Sequence, residues 1–163
     1  MSELLLTISG NTTKIPQDAI LPEGKYPVIT QETDKLISGY TNNEECITDY
    51  PLIVFGDHSC TYKYIDFDFV RGADGTQLMK IDETKALTKF AYHYLRTITL
   101  TNAEKYERHF KYLKEVNIPI ISKDEQQRII TEIEGYEFAI AQARAIMDGC
   151  AARKQTILDK YLQ

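Results

Sequence analysis

Three groups of residues in this chain are of types that could do chemistry. The first is Glu83-Thr84-Lys85, with Asp66, Asp68 and Asp74 upstream. An acid-x-Lys triplet beside further carboxylates could hold Mg²⁺ and activate water for phosphodiester cleavage, the pattern of a stand-alone metal nuclease. The same acid, standing where a helical pattern starts, also reads as an ordinary first-turn carboxylate. The second group is Phe55-Gly56-Asp57-His58-Ser59. Adjacent side chains diverge in extended chain, so consecutive Asp, His and Ser do not make a hydrolytic triad. A loop whose polar groups bond backbone or ligand is the simpler reading. The third group is Tyr62, Lys63, Tyr64 and Arg71. Bases and hydroxyls on exposed loops of a sheet can bond phosphates and base edges, while the tyrosines alone could equally be cross-strand packing.

Other chemistries lack their residues. No Gly-x-Gly-x-x-Gly follows a strand and the five prolines are isolated, so neither the cofactor loop nor the Pro-Pro-aromatic clamp of an amino-methyltransferase is present. The three cysteines, Cys46, Cys60 and Cys150, are too widely spaced for a zinc template and fit a reducing compartment. His93 and His109 read as partly buried helix residues.

The elements that must position these groups fall into three parts. Up to about Ile81 the chain reads as a turn-rich sheet. Strand signals are Leu4-Leu5-Leu6-Thr7-Ile8-Ser9, Tyr26-Pro27-Val28-Ile29-Thr30, Leu52-Ile53-Val54-Phe55, Thr61-Tyr62-Lys63-Tyr64-Ile65, Phe67-Asp68-Phe69-Val70 and Gln77-Leu78-Met79-Lys80-Ile81. Residues 72–75 read as a turn. Residues 82–121 read as helical. Leu87, Phe90, Ala91, Tyr94, Leu95 and Ile98 form one apolar stripe, and Asn102 is placed to cap a second helix with Tyr106, Phe110 and Leu113 inward. Arg108, Lys111 and Lys114 would project from its other faces.

Residues 122–163 read as one long helix opened by the capping box Ser122-Lys123-Asp124-Glu125. Ile129, Ile133, Tyr136, Ile140, Ala143, Met147, Cys150, Ile157 and Tyr161 follow a heptad seam, with Lys154 as its polar position. Such a rod would run roughly 60 Å, more than one small domain can cover, so a partner helix is expected. The expected fold class is therefore α+β: a mixed, loop-rich sheet domain with packed helices over 1–121, then a coiled-coil-forming helix.

Composition bounds the rest. The 163 residues are 43% hydrophobic and 26% charged, ordinary for a globular chain, and no apolar run is long enough to span a membrane. The start Met1-Ser2-Glu3 carries an acid where a signal peptide wants a base, so a cytoplasmic location is expected. Net charge is −5 but polarised: residues 1–60 carry 3 Lys against 9 acids, residues 89–128 carry 8 bases against 5 acids. That permits DNA binding without demanding it, and any phosphate affinity of the chain alone should be weak and salt-sensitive.

The runs Tyr26-Pro-Val-Ile-Thr30, Pro51-Leu-Ile-Val-Phe-Gly-Asp-His-Ser59, Lys63-Tyr-Ile-Asp-Phe67, Phe69-Val-Arg-Gly-Ala-Asp-Gly75 and Gln77-Leu-Met-Lys-Ile81 together resemble the target recognition domain of type I restriction–modification specificity (S) subunits. Arg108-His-Phe-Lys-Tyr-Leu-Lys-Glu-Val-Asn-Ile-Pro119 is similar to the segment that follows in that family, and Glu125-Gln-Gln-Arg-Ile129 to the opening of its spacer helix. The closing stretch, Glu132-Ile-Glu-Gly-Tyr136 and Ala141-Gln-Ala-Arg-Ala-Ile146, is also similar to tails of adenine methylases fused to such domains. The first 25 or so residues match the family poorly.

The resemblance implies a non-catalytic DNA recognition subunit. Such a subunit has two recognition domains, each reading half of a split site, separated by two antiparallel helices. It implies double-stranded DNA, an adenine methyltransferase (M) subunit and a restriction (R) subunit as partners. S-adenosylmethionine is expected in the methylase partner, ATP and Mg in the restriction partner, and no cofactor or metal on this chain. One recognition domain and one helix make half of such a subunit. A homodimer through Ile133, Tyr136, Ile140, Ala143, Met147, Cys150, Ile157 and Tyr161 would then read an interrupted palindrome. The DNA contacts expected are Lys63, Tyr64 and Arg71, then Lys25, Gln31, His58, Ser59 and Lys111. The alternatives are a recognition domain of a fused restriction–methylase enzyme, a Mg-dependent nuclease on Glu83 and Lys85, and a coiled-coil adaptor with no DNA role.

Overall fold

The computed structural model describes residues 1–163 other than 11, 73, 74, 101–107, 114 and 163, and of residues 2 and 151 the backbone only. The chain divides into two units, Met1–Gln126 and Gln127–Gln163. The architecture is α+β, as its residue patterns lead one to expect.

The first unit carries eight strands among the described residues: β1 (Leu5–Leu6), β2 (Lys14–Ile15), β3 (Tyr26–Ile29), β4 (Gly39–Thr41), β5 (Leu52–Gly56), β6 (Tyr62–Ile65), β7 (Val70–Gly72) and β8 (Thr76–Ile81). They form two four-stranded sheets. One, in the order β1-β8-β5-β6, is antiparallel throughout. The other, β2-β7-β3-β4, pairs β7 parallel with both β2 and β3 and closes on the antiparallel β3–β4 pair.

β5 organises the unit. All five of its residues are buried, as its uninterrupted apolar run predicts. Because side chains alternate across a strand, its two faces enter different layers. Leu52 and Val54 pack with Ile29, Ile47, Ile65 and Phe69 in one core cluster. Phe55 packs at a tilt against Tyr62, with ring centroids 5.0 Å apart, and against Phe110 at 6.3 Å. Each such fully buried apolar side chain contributes about 1.5–3 kcal/mol.

Helix α1 (Thr88–Arg96) packs against β6, β5 and β8. Phe90, Ala91 and Leu95 of the expected stripe are buried. Helix α2 (Phe110–Leu113) is shorter than expected, and this is a correction: Arg108 and His109 are not helical, so no helix runs through them to Leu113. The cause is that Asp57 takes the His109 and Phe110 amides. Asn102, Tyr106 and Lys114 lie outside the described residues. Two strand expectations also shift. The strand expected over 67–70 is Val70–Gly72, because Phe69 instead bridges Ile47, and the strand expected over 4–9 is Leu5–Leu6, after a 3-10 turn at Ser2–Leu4.

Helix α3 (Lys123–Tyr161) starts where the capping pattern places it. Ser122 Oγ accepts the Glu125 amide at 3.3 Å and donates to Glu125 Oε2 at 2.8 Å. Gln126 ties this start into the first unit. Its side-chain amide donates to Ile121 O at 2.9 Å and its Oε1 accepts the Leu87 amide at 2.7 Å. In the second unit the seam residues Tyr136, Ile140, Met147, Ile157 and Tyr161 are 50–73% exposed. Ala143 and Cys150 are exposed as well, and Ile133 is half-buried.

Candidate functional site

Four segments converge at one end of the β5–β6 hairpin. The turn between the strands closes with Gly56 N–H on Thr61 O at 2.9 Å and Cys60 N–H on Gly56 O at 2.8 Å, and Cys60 sits in the left-handed region at φ 54°. Gln31 locks this turn from below: its Oε1 accepts the His58 amide at 3.2 Å. The Gln31 side chain lies so close to Gly56 and Gly75 that a Cβ on either glycine would strike it. Gly75, at φ 83°, needs the left-handed freedom of glycine in any case.

Asp57 joins the remaining segments. It is 2% exposed. Its amide donates to Gly75 O at 2.6 Å, and its carboxylate accepts the Phe110 amide at 2.8 Å and Gln77 Nε2 at 3.2 Å. Its carbonyl accepts both the His109 amide, at 3.1 Å, and His109 Nδ1, at 2.9 Å. A carbonyl only accepts, so Nδ1 carries the proton. His109 is fully buried. The Gly-Asp-His run is therefore a staple: Asp57 fixes the basic segment 108–111, which carries the exposed Arg108 and Lys111, to the 56–61 turn.

Of the expected contact residues, Gln31, His58 and Ser59 meet at this turn, while Lys111 lies on the stapled segment with its Nζ 4.7 Å from the Tyr112 ring centroid. Tyr64 lies further along β6, opposite Ile53. Lys63, Arg71 and Lys25 are engaged elsewhere. Along β6 burial alternates, so Tyr62 and Tyr64 share the face toward α1 while Lys63 and Ile65 point the other way. Lys63 is 5% exposed, its Nζ donates to Leu36 O at 3.2 Å, and burial pushes its ammonium below the usual lysine range. Arg71 is half-buried. Its Nε donates to Thr76 Oγ1 at 3.1 Å and its terminal nitrogens to the Thr12 and Thr76 carbonyls. Lys25 is exposed but held on Glu44 at 3.0 Å and over the Tyr26 ring at 5.0 Å. The Lys63 and Arg71 side chains thus both bond the protein's own backbone carbonyls.

The acid-x-Lys triplet has local duties. Glu83 Oε1 accepts the Thr88 amide at 3.2 Å at the start of α1, and Lys85 pairs with Asp82 at 3.3 Å. Among the described residues no group of three or more His, Cys, Asp or Glu could hold a metal ion, and Asp74 lies outside them. No described helix is long and apolar enough to cross a membrane.

Sequence reasoning missed the residues that do the positioning, Asp57, Gln77 and His109, because their bonds join segments 20 to 53 residues apart.

A family model described as the type I restriction modification DNA specificity domain matches residues 5–144. The specificity subunit of the type I restriction enzyme EcoR124I/EcoR124II from Escherichia coli is 33% identical over 82 residues, 48% of this chain and 20% of that subunit. The crystal structure of a type I restriction–modification system S subunit from M. genitalium has the same fold, with a TM-score of 0.61 and 20% identity over 96% of this chain and 42% of that one. The chain thus spans less than half the length of these relatives. With the family model covering most of its length, the chain belongs to the type I restriction–modification DNA specificity domains.

Proposed function

We propose that this chain reads one half of a split DNA site for a type I restriction–modification complex, acting as half of a specificity subunit. The family is one of DNA specificity domains, so the chain is a recognition module and not an enzyme. In this reading it directs an adenine methyltransferase and a restriction subunit to the site, and it works inside the cell where the DNA is. S-adenosylmethionine, ATP and Mg belong to those partners. The 56–61 turn with His58 and Ser59, the stapled segment with Lys111, and Tyr64 face the DNA. Gln31 positions the turn. Lys63, Arg71 and Lys25 hold the fold.

The observation that carries the half-subunit reading is the seam of α3. From Tyr136 onward its large apolar side chains, Tyr136, Ile140, Met147, Ile157 and Tyr161, stand at least half exposed, which a lone helix in water gains nothing from. A second copy laid against it would cover Ile133, Tyr136, Ile140, Ala143, Met147, Cys150, Ile157 and Tyr161. Twofold pairing then predicts an interrupted palindrome. With a net charge of −5, tight binding requires the methyltransferase to complete the clamp on DNA.

Base-resolution adenine methylation of the source genome, with and without this gene, tests the proposal. Loss at a split palindrome supports recognition and self-pairing together. Loss at an asymmetric split site keeps the recognition role and replaces the second copy with a different half. Unchanged methylation in cells that express the chain overturns both.

A further inference from the structure

The order of residues along the α3 seam bears on which way a second helix runs and where it stops. From Ile129 the seam steps alternate between four and three residues, so reversing one helix of a pair sets each first core position of one opposite a second core position of the other. Reversed and centred on Ala145, the seam meets itself. Ala143 faces the second copy's Met147, Ile140 its Cys150 and Tyr136 its Lys154. Further out, Ile133 faces Ile157 and Ile129 faces Tyr161. Small meets large in the two layers nearest the centre, which keeps their volumes similar.

Lys154, the polar seam position, selects among the alternatives. A parallel pair sets it against its own counterpart, two like charges in one layer. Sliding the reversed copy by one heptad sets it against Ile129 in one direction and Ala143 in the other, where its ammonium meets only hydrocarbon. The first slide also puts Ile157 opposite Gln126. Centred on Ala145, the ammonium instead meets Tyr136, whose ring face attracts a cation and whose hydroxyl accepts a hydrogen bond. The flanks agree. Glu132 comes beside the second copy's Lys160, and Ile146, 57% exposed in the single chain, comes beside its own counterpart on the axis. The other flank brings the two Arg144 side chains together, a like-charge contact that weakens the pair without changing its alignment.

We propose that a second copy of this chain pairs along α3 with its direction reversed and in one register, the twofold axis passing at Ala145 and Lys154 set on the second copy's Tyr136. This rests on the self-pairing proposed above and deepens it from a covered seam to a fixed alignment, with the residue opposite each seam position named.

Copper-catalysed air oxidation of the full chain tests the alignment. Each link joins two thiols in one S–S bond, the two electrons and two protons passing to oxygen. The variant Ile140→Cys should link position 140 of one copy to the second copy's Cys150, as a dimer on non-reducing gels whose joined peptides mass spectrometry identifies. Ile140 is exposed in the single chain, so the substitution spares the fold. The wild type should form no Cys150–Cys150 link, since reversal sets those residues roughly 15 Å apart along the helix. In sedimentation, Glu132→Lys and Lys160→Glu should each raise the dissociation constant on the order of tenfold, and the two together should restore it. Arg144→Gln should lower it about twofold. A Cys150–Cys150 link in the wild type, or a double charge variant as weak as the singles, would overturn the alignment. Dimers that form neither link would overturn it while leaving self-pairing in place. Chains that stay monomeric at high concentration, although deleting the gene abolishes methylation, would remove the second copy and leave DNA reading standing.

Discussion

In the unit Met1–Gln126, β5 is buried along its whole length, and even polar Asp57 and His109 are enclosed and bonded. Along α3 beyond Gln126, Tyr136, Met147 and Tyr161 stand 66–73% exposed. The two regions spend their apolar residues differently. The first has bonded layers on both sides of β5 and satisfies itself. The second is one helix, and its backbone bonds are complete while its side chains are not. A helix of this kind draws its tertiary stability from what it packs against rather than from propensity. The contrast teaches that recognition and assembly are separable here: changes in one region should leave the other's fold intact.

Breaking the helix seam should have the largest effect. Ile140→Asp with Met147→Asp removes two buried side chains from each copy, four from the proposed pair, at about 1.5–3 kcal/mol each, raising the dissociation constant on the order of 10⁴-fold or more. Sedimentation should show monomers whose near-ultraviolet spectrum still reports a folded first unit; collapse of that spectrum would break the comparison.

Asp57→Ala should act the opposite way. It strands the buried Phe110 amide and Gln77 amide group, costing about 3 kcal/mol in urea unfolding of the first unit, with α3 self-association unchanged. If Asp57 served only DNA, the unfolding midpoint would not move.

Lys63 offers a smaller, sharper test. Lys63→Met removes a buried charge of similar shape and should leave stability within about 1 kcal/mol of wild type, with target choice unaltered. Because burial depresses the folded-state value, wild-type stability rises as pH climbs through that value toward the ordinary lysine range. The methionine variant should lack that limb.

The smallest effect concerns Asp49. Its carboxylate accepts the Ser9 amide at 2.8 Å and meets Lys80 at 2.9 Å, which holds it below the usual aspartate value. A depressed acid contributes stability above its ordinary value, and that contribution is lost as pH falls through the depressed one. Asp49→Asn should flatten this acid limb of thermal unfolding; an unchanged limb would assign it to other carboxylates.

Much of this fold is legible in the residues because local pattern and final environment agree. The run Leu52-Ile53-Val54-Phe55, the stripe of α1 and the Ser122 cap that opens α3 are such cases. The short strands β2 and β4 are not legible. Two or three residues carry no period, and β2 exists because Lys14 and Ile15 meet Arg71 and Gly72 far along the chain. The site was half legible. Family motifs located the 56–61 turn, yet Gly-Asp-His reads as ligand chemistry when its aspartate is a staple. Tyr62-Lys63-Tyr64 reads as a basic aromatic patch, although strand alternation already sends Lys63 away from its neighbours.

That inward lysine has one more consequence. β6 is the outer strand of its sheet, and an outer strand presents unpaired backbone groups on which another chain can add. Lys63 turns its charge inward from that strand and ties it to the Leu36 carbonyl. A charge turned inward from an outer strand is one of the devices by which sheets discourage edge-to-edge pairing, so Lys63→Val should leave this edge more prone to self-association.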